Sequence, residues 1–305
     1  MTSPQRPQAV ANRLSALLNQ VFGAERFPVP VEDLALEYSQ QRFPDAPIAK
    51  VQGADLDGFE GLLAANKKRT KWMILYNSAA SSVGRQRFTV AHEFGHYLLH
   101  RHERQAFACG SSDIETAGEG RGSRDIEKEA DEFATALLMP LDDFRRQVDG
   151  QTVSFELLKH CADRYGVSLT AAAIRWLEIA PQRAVLVASR DDHMLWAASN
   201  EAAFKSGAFF ATRRHTIELP QSALAHSRNG AGTPQTHVTR AQVWFPREPA
   251  DMPLTEMTVV AGNYGYALTL LVMPEAERRW RRQDVDEEPL EDSYDRFVSR
   301  GQKPY

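Results

Sequence analysis

The sequence predicts an α+β protein, on three observations. Helical periodicity dominates the chain up to Ala180, a single pair of short apolar runs with strand character interrupts it, and after Pro181 the pattern changes to β-type runs. At 305 residues the chain is long enough for more than one domain, and 43% hydrophobic with 25% charged residues is the composition of an ordinary globular protein.

A first helix is expected from about Gln8 to Phe22, where Val10, Leu14, Leu17, Leu18 and Val21 recur at helical spacing. A second follows from Val31 to Tyr38, after an extended stretch that Pro28 and Pro30 impose. Two apolar runs, Phe59–Ala65 and Trp72–Tyr76, flank the polar turn Asn66–Lys71 and read as a strand hairpin. Arg87 to Arg101 is a helix, with Phe88, Ala91, Phe94, Leu98 and Leu99 spaced for burial. The polar stretch from His102 to Arg124 reads as a lid or a disordered loop. Another helix runs from Asp125 to Met139 and stops at Pro140. Residues 154–165 and 169–179 form a helix pair, with Ser168 as N-cap of the second. Strands are expected at 184–188, 193–198, 241–245, 257–261 and 266–273. The expected division is therefore 1–150, a helical pair at 151–180, an α+β domain at 181–275 for sensing or partner docking, and a charged tail at 276–305.

Several function classes are disfavoured. A formal charge of -4 gives no footprint of a nucleic-acid binder. The helix pair has a helix-turn-helix outline, but its second helix offers one basic residue, Arg175, and is expected to pack on the core instead. The cluster Arg278, Arg279, Arg281 and Arg282 reads as a solvated face. No run approaches the length of a membrane span, the N-terminus lacks a continuous apolar segment, and two cysteines make no disulfide framework. A cytoplasmic protein without a membrane partner is expected.

The chemistry lies in Val90-Ala-His-Glu-Phe-Gly-His-Tyr97, an H-E-x-x-H motif. Residues four apart share a helix face one turn apart, so His92 and His96 can bind one metal ion. Glu93 borders that face, placed to take a proton from water without ligating the ion. A catalytic zinc takes three protein ligands. His102 has the spacing of a third histidine, but Leu99 stands where a sharp backbone turn would need glycine. His100 lies two turns above His92, about 12 Å along the axis. On the helix at 125–139, Glu127 falls inside the apolar sector with Asp131 at its edge, whereas Glu129 and Glu132 fall outside. A carboxylate on an apolar stripe needs a partner. Glu127 is thus the expected third ligand, and Asp131 is placed to accept a hydrogen bond from the free ring N–H of a ligating histidine. Tyr97 and His100 are candidates for oxyanion or substrate contacts. Cys109 reads as an exposed thiol, the alternative being a ligand that blocks the site until displaced.

The run RFTVAHEFGHYLLH, followed by IEKEADEFATALLMP, resembles the ImmA/IrrE family of bacterial metallopeptidases. The resemblance is tight over about residues 50–140 and weak beyond 180. It implies a zincin-like fold with one Zn2+ held by His92, His96 and Glu127 (Mn2+ substituting in vitro) and Glu93 as general base. Asp131 stands where the family usually has asparagine. It also implies an endopeptidase whose protein substrate is a helix-turn-helix repressor in a phage, mobile-element or stress response. The rival is a zinc-containing module that sequesters such a repressor. In zincins a sheet-edge strand binds substrate as an extra strand, here Gly61–Ala65 or Trp72–Tyr76.

Overall fold

A computed structural model of the chain describes residues 6–56, 58–79, 82–109, 121–226, 233–261 and 265–274, with the side chains of 121–124 left aside. The fold is α+β, with two sheets. The first carries strands β1 (Ile48–Ala54), β2 (Gly61–Ala65), β3 (Trp72–Asn77) and β4 (Ala106–Cys109) in the order β1-β3-β2-β4. β1 runs parallel to β3, whereas β2 pairs antiparallel with β3 and with β4. Around this sheet lie α1 (Pro7–Phe22), α2 (Val31–Arg42), α3 (Val83–His100) and α4 (Arg121–Leu138).

α3 begins four residues before its apolar periodicity because Ser82 caps it, its side chain accepting from the Arg85 amide. Val90, Ala91, Phe94 and Tyr97 are buried, and so are His92, Glu93, His96 and His100. A helix buried nearly all round is the centre of its domain. Two glycines let its neighbours come close. A Cβ on Gly95 would lie 2.9 Å from the Phe133 ring and 3.3 Å from the Ala130 Cα of α4; a Cβ on Gly61 of β2 would lie 2.5 Å from Glu93 Oε1.

After α4 come α5 (Leu141–Val148), α6 (Phe155–Tyr165) and α7 (Leu169–Leu177). Ser154 and Ser168 cap the last two. Arg175, the one basic residue of α7, is buried and donates twice to the Met139 carbonyl at the end of α4. The α6–α7 pair is therefore a packing element, as its composition implied.

The second sheet is antiparallel, in the order β6-β5-β9-β8-β7, from β5 (Arg183–Arg190), β6 (His193–Ser199), β7 (Gln235–Arg240), β8 (Pro253–Ala261) and β9 (Tyr266–Met273). Alternation splits β5 cleanly. Ala184, Leu186 and Ala188 join the large apolar cluster that includes α1, the first sheet and α6–α7, whereas Val185 and Val187 join a second cluster on the far face. The far face is covered by α8 (Glu201–Ser206) and by Ala241, Trp244 and Phe245.

Three expectations are corrected. The 102–124 stretch is not all loop, since it contains β4 and the start of α4; residues 110–120 lie outside the described set. The 241–245 run is a helical turn, not a strand. Its buried residues, Ala241, Trp244 and Phe245, sit at i, i+3 and i+4, and the Phe245 amide donates to the Ala241 carbonyl at 2.8 Å. Neither hairpin strand is a free edge: β3 lies between β1 and β2, and β4 covers β2. The basic cluster at 278–282 and the tail fall outside the described residues.

Candidate metal centre

α3 and α4 bring the expected residues together. His92 Nε2 lies 3.0 Å from His96 Nε2 and 3.1 Å from Glu127 Oε2, and His96 Nε2 lies 3.4 Å from Glu127 Oε1. A fourth donor joins them, which the sequence did not favour. Cys109 Sγ is 3.2 Å from His92 Nε2, 3.6 Å from His96 Nε2 and 3.5 Å from Glu127 Oε2. Among the described residues these four form the group able to hold a metal ion. Zinc bonds of about 2.0–2.3 Å put tetrahedral ligand atoms roughly 3.3–3.8 Å apart; the cluster, at 3.0–3.6 Å, is slightly tighter and has donors suited to such a metal ion.

Cys109 is half-buried and not an exposed thiol. It reaches the cluster because β4 pairs along β2, placing Cys109 opposite Gly61 and Phe107 opposite Leu63. Phe107 and Cys109 share a strand face, and the Phe107 ring stacks on His96 with centroids 4.6 Å apart. That alternation in Ala-Phe-Ala-Cys was the available signal, hidden in a polar stretch.

Glu93 is the least satisfied group of the site. It is fully buried, and neither carboxylate oxygen has a hydrogen bond of good geometry, the Cys109 thiol and the Leu63 backbone being only near enough to ease its charge. Burial pushes its carboxyl up to about 7 despite the nearby His92. Burial also lowers His96 and raises the Cys109 thiol far above its ordinary range. Burial would raise Glu127 too, yet hydrogen bonds with His92 and His96 hold its carboxyl well below the usual carboxylate range. A low-pKa carboxylate facing two imidazoles is a place for a cation.

Behind the cluster, His92 Nδ1 is 2.8 Å from Asp131 Oδ1, the contact expected of that aspartate. His96 Nδ1 is 3.1 Å from His100 Nδ1, and His100 Nε2 is 2.9 Å from Glu129 Oε2. His100 therefore sits behind His96, on the side away from the four donors. Tyr97 is buried among Phe43, Trp72 and Phe94, and its hydroxyl donates to the Ala46 carbonyl at 2.8 Å. The candidate oxyanion or substrate contacts, Tyr97 and His100, are thus engaged with Ala46 and with His96 and Glu129 respectively. Spacing along α3 says which face a residue shares, not which neighbour covers it. His102, in the turn after α3, is outside the cluster.

Comparison with known proteins agrees with this geometry. Residues 46–177 match the peptidase M78 family model, described as the IrrE N-terminal-like domain. No curated protein matches the chain. Among solved structures, a Mycobacterium tuberculosis transcriptional regulator aligns with a TM-score of 0.48 at 14% identity, over 89% of this chain and 81% of that one. Among the described residues no helix is long and apolar enough to cross a membrane. The matched segment begins just before β1 and ends with α7, so the part of this chain that is similar to the IrrE N-terminal-like domain of the peptidase M78 family is the part that holds the HExxH helix and all four donors.

Proposed function

We propose that this chain is a zinc-dependent endopeptidase held in a latent form. His92, His96 and Glu127 would hold the ion, and Cys109, the fourth donor of the cluster, would deny water a place beside it. A bound zinc ion supplies Lewis acidity, polarising a peptide carbonyl and acidifying water. The chain's own residues do the rest. Glu93 receives a proton at a carboxylate oxygen and delivers it to the departing amine nitrogen. Asp131 fixes the His92 ring by accepting from its Nδ1–H. β2 is the strand on which an extended substrate would add by main-chain hydrogen bonds, and β4 occupies that edge.

The observation that carries this reading is Glu93. A zinc site that only braces the fold has no use for a buried carboxylate that no well-formed hydrogen bond holds, whose retention costs stability. Cys109 favours the rival, since four protein donors are the mark of a structural site and a closed module could act by sequestering its target. We infer a repressor-type protein with a helix-turn-helix domain as substrate from the family resemblance.

The two readings separate by mutation. Zinc-loaded Cys109→Ala, mixed with candidate helix-turn-helix repressors, is expected to generate fragments faster than the parent. Glu93→Gln added to it should keep the zinc and lose about 10²–10⁴-fold in cleavage rate. Cleavage indifferent to Glu93, or repressor inactivation without fragments, would establish the binding module.

A further inference from the structure

We infer that Glu129 and His100 are positioning residues for the metal, acting through His96 as a two-step hydrogen-bonded relay. This rests on the proposed role of His96 as a ligand. A ring that presents its Nε2 lone pair to a metal carries its proton on Nδ1, and that N–H needs an acceptor. For His92 the acceptor is a carboxylate, Asp131, at 2.8 Å. For His96 Nδ1 the described residues offer no carboxylate, since Glu127 faces the other ring nitrogen. Its Nδ1 faces His100 Nδ1 at 3.1 Å, and His100 Nε2 faces Glu129 Oε2 at 2.9 Å. The tautomers then follow. His96 Nδ1–H donates to His100 Nδ1, and His100 Nε2–H donates to Glu129.

The placement has a physical logic. His96 is wholly buried under Phe107, and a bare carboxylate beside it would bear the full cost of desolvation. Glu129 instead stays 48% exposed, and the buried His100 ring, 3% exposed, links its charge to His96. If His100 were only a core histidine with its polar atoms satisfied, its Nδ1 could take any acceptor or donor. It is spent on a ring of the metal cluster. Glu127 and Asp131 lie on one flank of the apolar stripe of α4 and Glu129 on the other. α4 thereby supports both histidines, one directly and one at a remove.

The test measures zinc affinity of the full chain by chelator competition, with the zinc-free proteins compared by thermal unfolding. Glu129→Ala is half-exposed and expected to fold; it should weaken zinc binding 10–100-fold, as should His100→Ala. His100→Asn keeps an acceptor near the His96 N–H but cannot reach Glu129. It should bind zinc more tightly than His100→Ala, and adding Glu129→Ala to it should cost nothing further. A through-space effect of the Glu129 charge would instead persist in both His100 backgrounds, and that additivity would overturn the proposal. So would a Glu129→Ala protein that binds zinc as the parent does. Nitrogen-15 spectra of the zinc-loaded parent should show His96 protonated at Nδ1; protonation elsewhere defeats the relay. If the parent itself binds no zinc, the ligand assignment fails instead.

Discussion

At the scale of single residues, Glu93 carries the most consequence. Its carboxyl sits at about 7 in the folded chain against an ordinary 4.5. Between those values the folded state holds a proton that the unfolded state has released, so stability falls as pH rises through this window. The full effect is up to about 3 kcal/mol. Zinc-free Glu93→Gln is therefore expected to lose this pH dependence, and urea unfolding in chelator at pH 5 and pH 8 measures it. An unchanged slope would mean the carboxylate finds a partner in solution. Asp143 shows the opposite sign. Burial works against its charge, yet hydrogen bonds from Arg164, Tyr165 and Arg146 hold it at about 2. Its contribution is present above the ordinary 3.8 and is lost as pH falls towards 2. Asp143→Ala strands the buried Tyr165 hydroxyl (2.7 Å away) and Arg164 (2.8 Å away). The expected loss is about 3–5 kcal/mol, read from denaturant midpoints at neutral pH.

At the scale of elements, what could be foreseen from sequence depended on length and on whether a role needs a neighbour. α3 and α4 are long and periodic, so their existence, the facing of His92, His96 and Glu127, and the Asp131 contact were all legible. β4 was not, because four residues inside a polar stretch carry little periodicity and its pairing partner lies over forty residues away along the chain. With β4 went Cys109. Glu129 escaped for a related reason, since a helical wheel places it outside the apolar sector and cannot see the crossing helix that brings His100 to it. β7 is a mostly polar strand and β1 one of small and mixed residues, and only their neighbours in the sheet define them. The link between β4 and the thiol is testable by hydrogen exchange. In the zinc-loaded protein, Cys109→Ala should speed exchange of the Ala106–Cys109 amides while leaving those of β3, buried between β1 and β2, as they are. Equal rates in the two proteins would show that the strand holds its place without the sulfur.

At the scale of the whole molecule, the inner face of the second sheet is not a separate surface. Ala184, Leu186, Met257, Leu268 and Leu270 belong to the same apolar cluster as Leu158, Ala172 and Trp176 of the α6–α7 pair, and Thr170 lies 3.2 Å from the Tyr266 hydroxyl across the junction. Burial at about 25 cal/mol per Å2 over such a junction couples the two halves. Unfolding should therefore follow one transition, with far-ultraviolet ellipticity and tryptophan fluorescence coincident. Two separated transitions would show that the sheet melts alone. A shift in the second sheet would be felt first at α6–α7, and through the Arg175 bonds to Met139 at the end of the helix bearing Glu127.

If β2 is the strand on which a substrate adds, as proposed, β4 also sets a threshold for an incoming peptide. A strand tethered beside its own groove competes at an effective concentration on the order of millimolar for a short flexible linker. A free segment of micromolar intrinsic affinity would then have to displace a rival that is always present, so weak encounters with bystander proteins would pass uncut. Selectivity in this chain would then lie as much in what dislodges four residues as in the strand edge they cover.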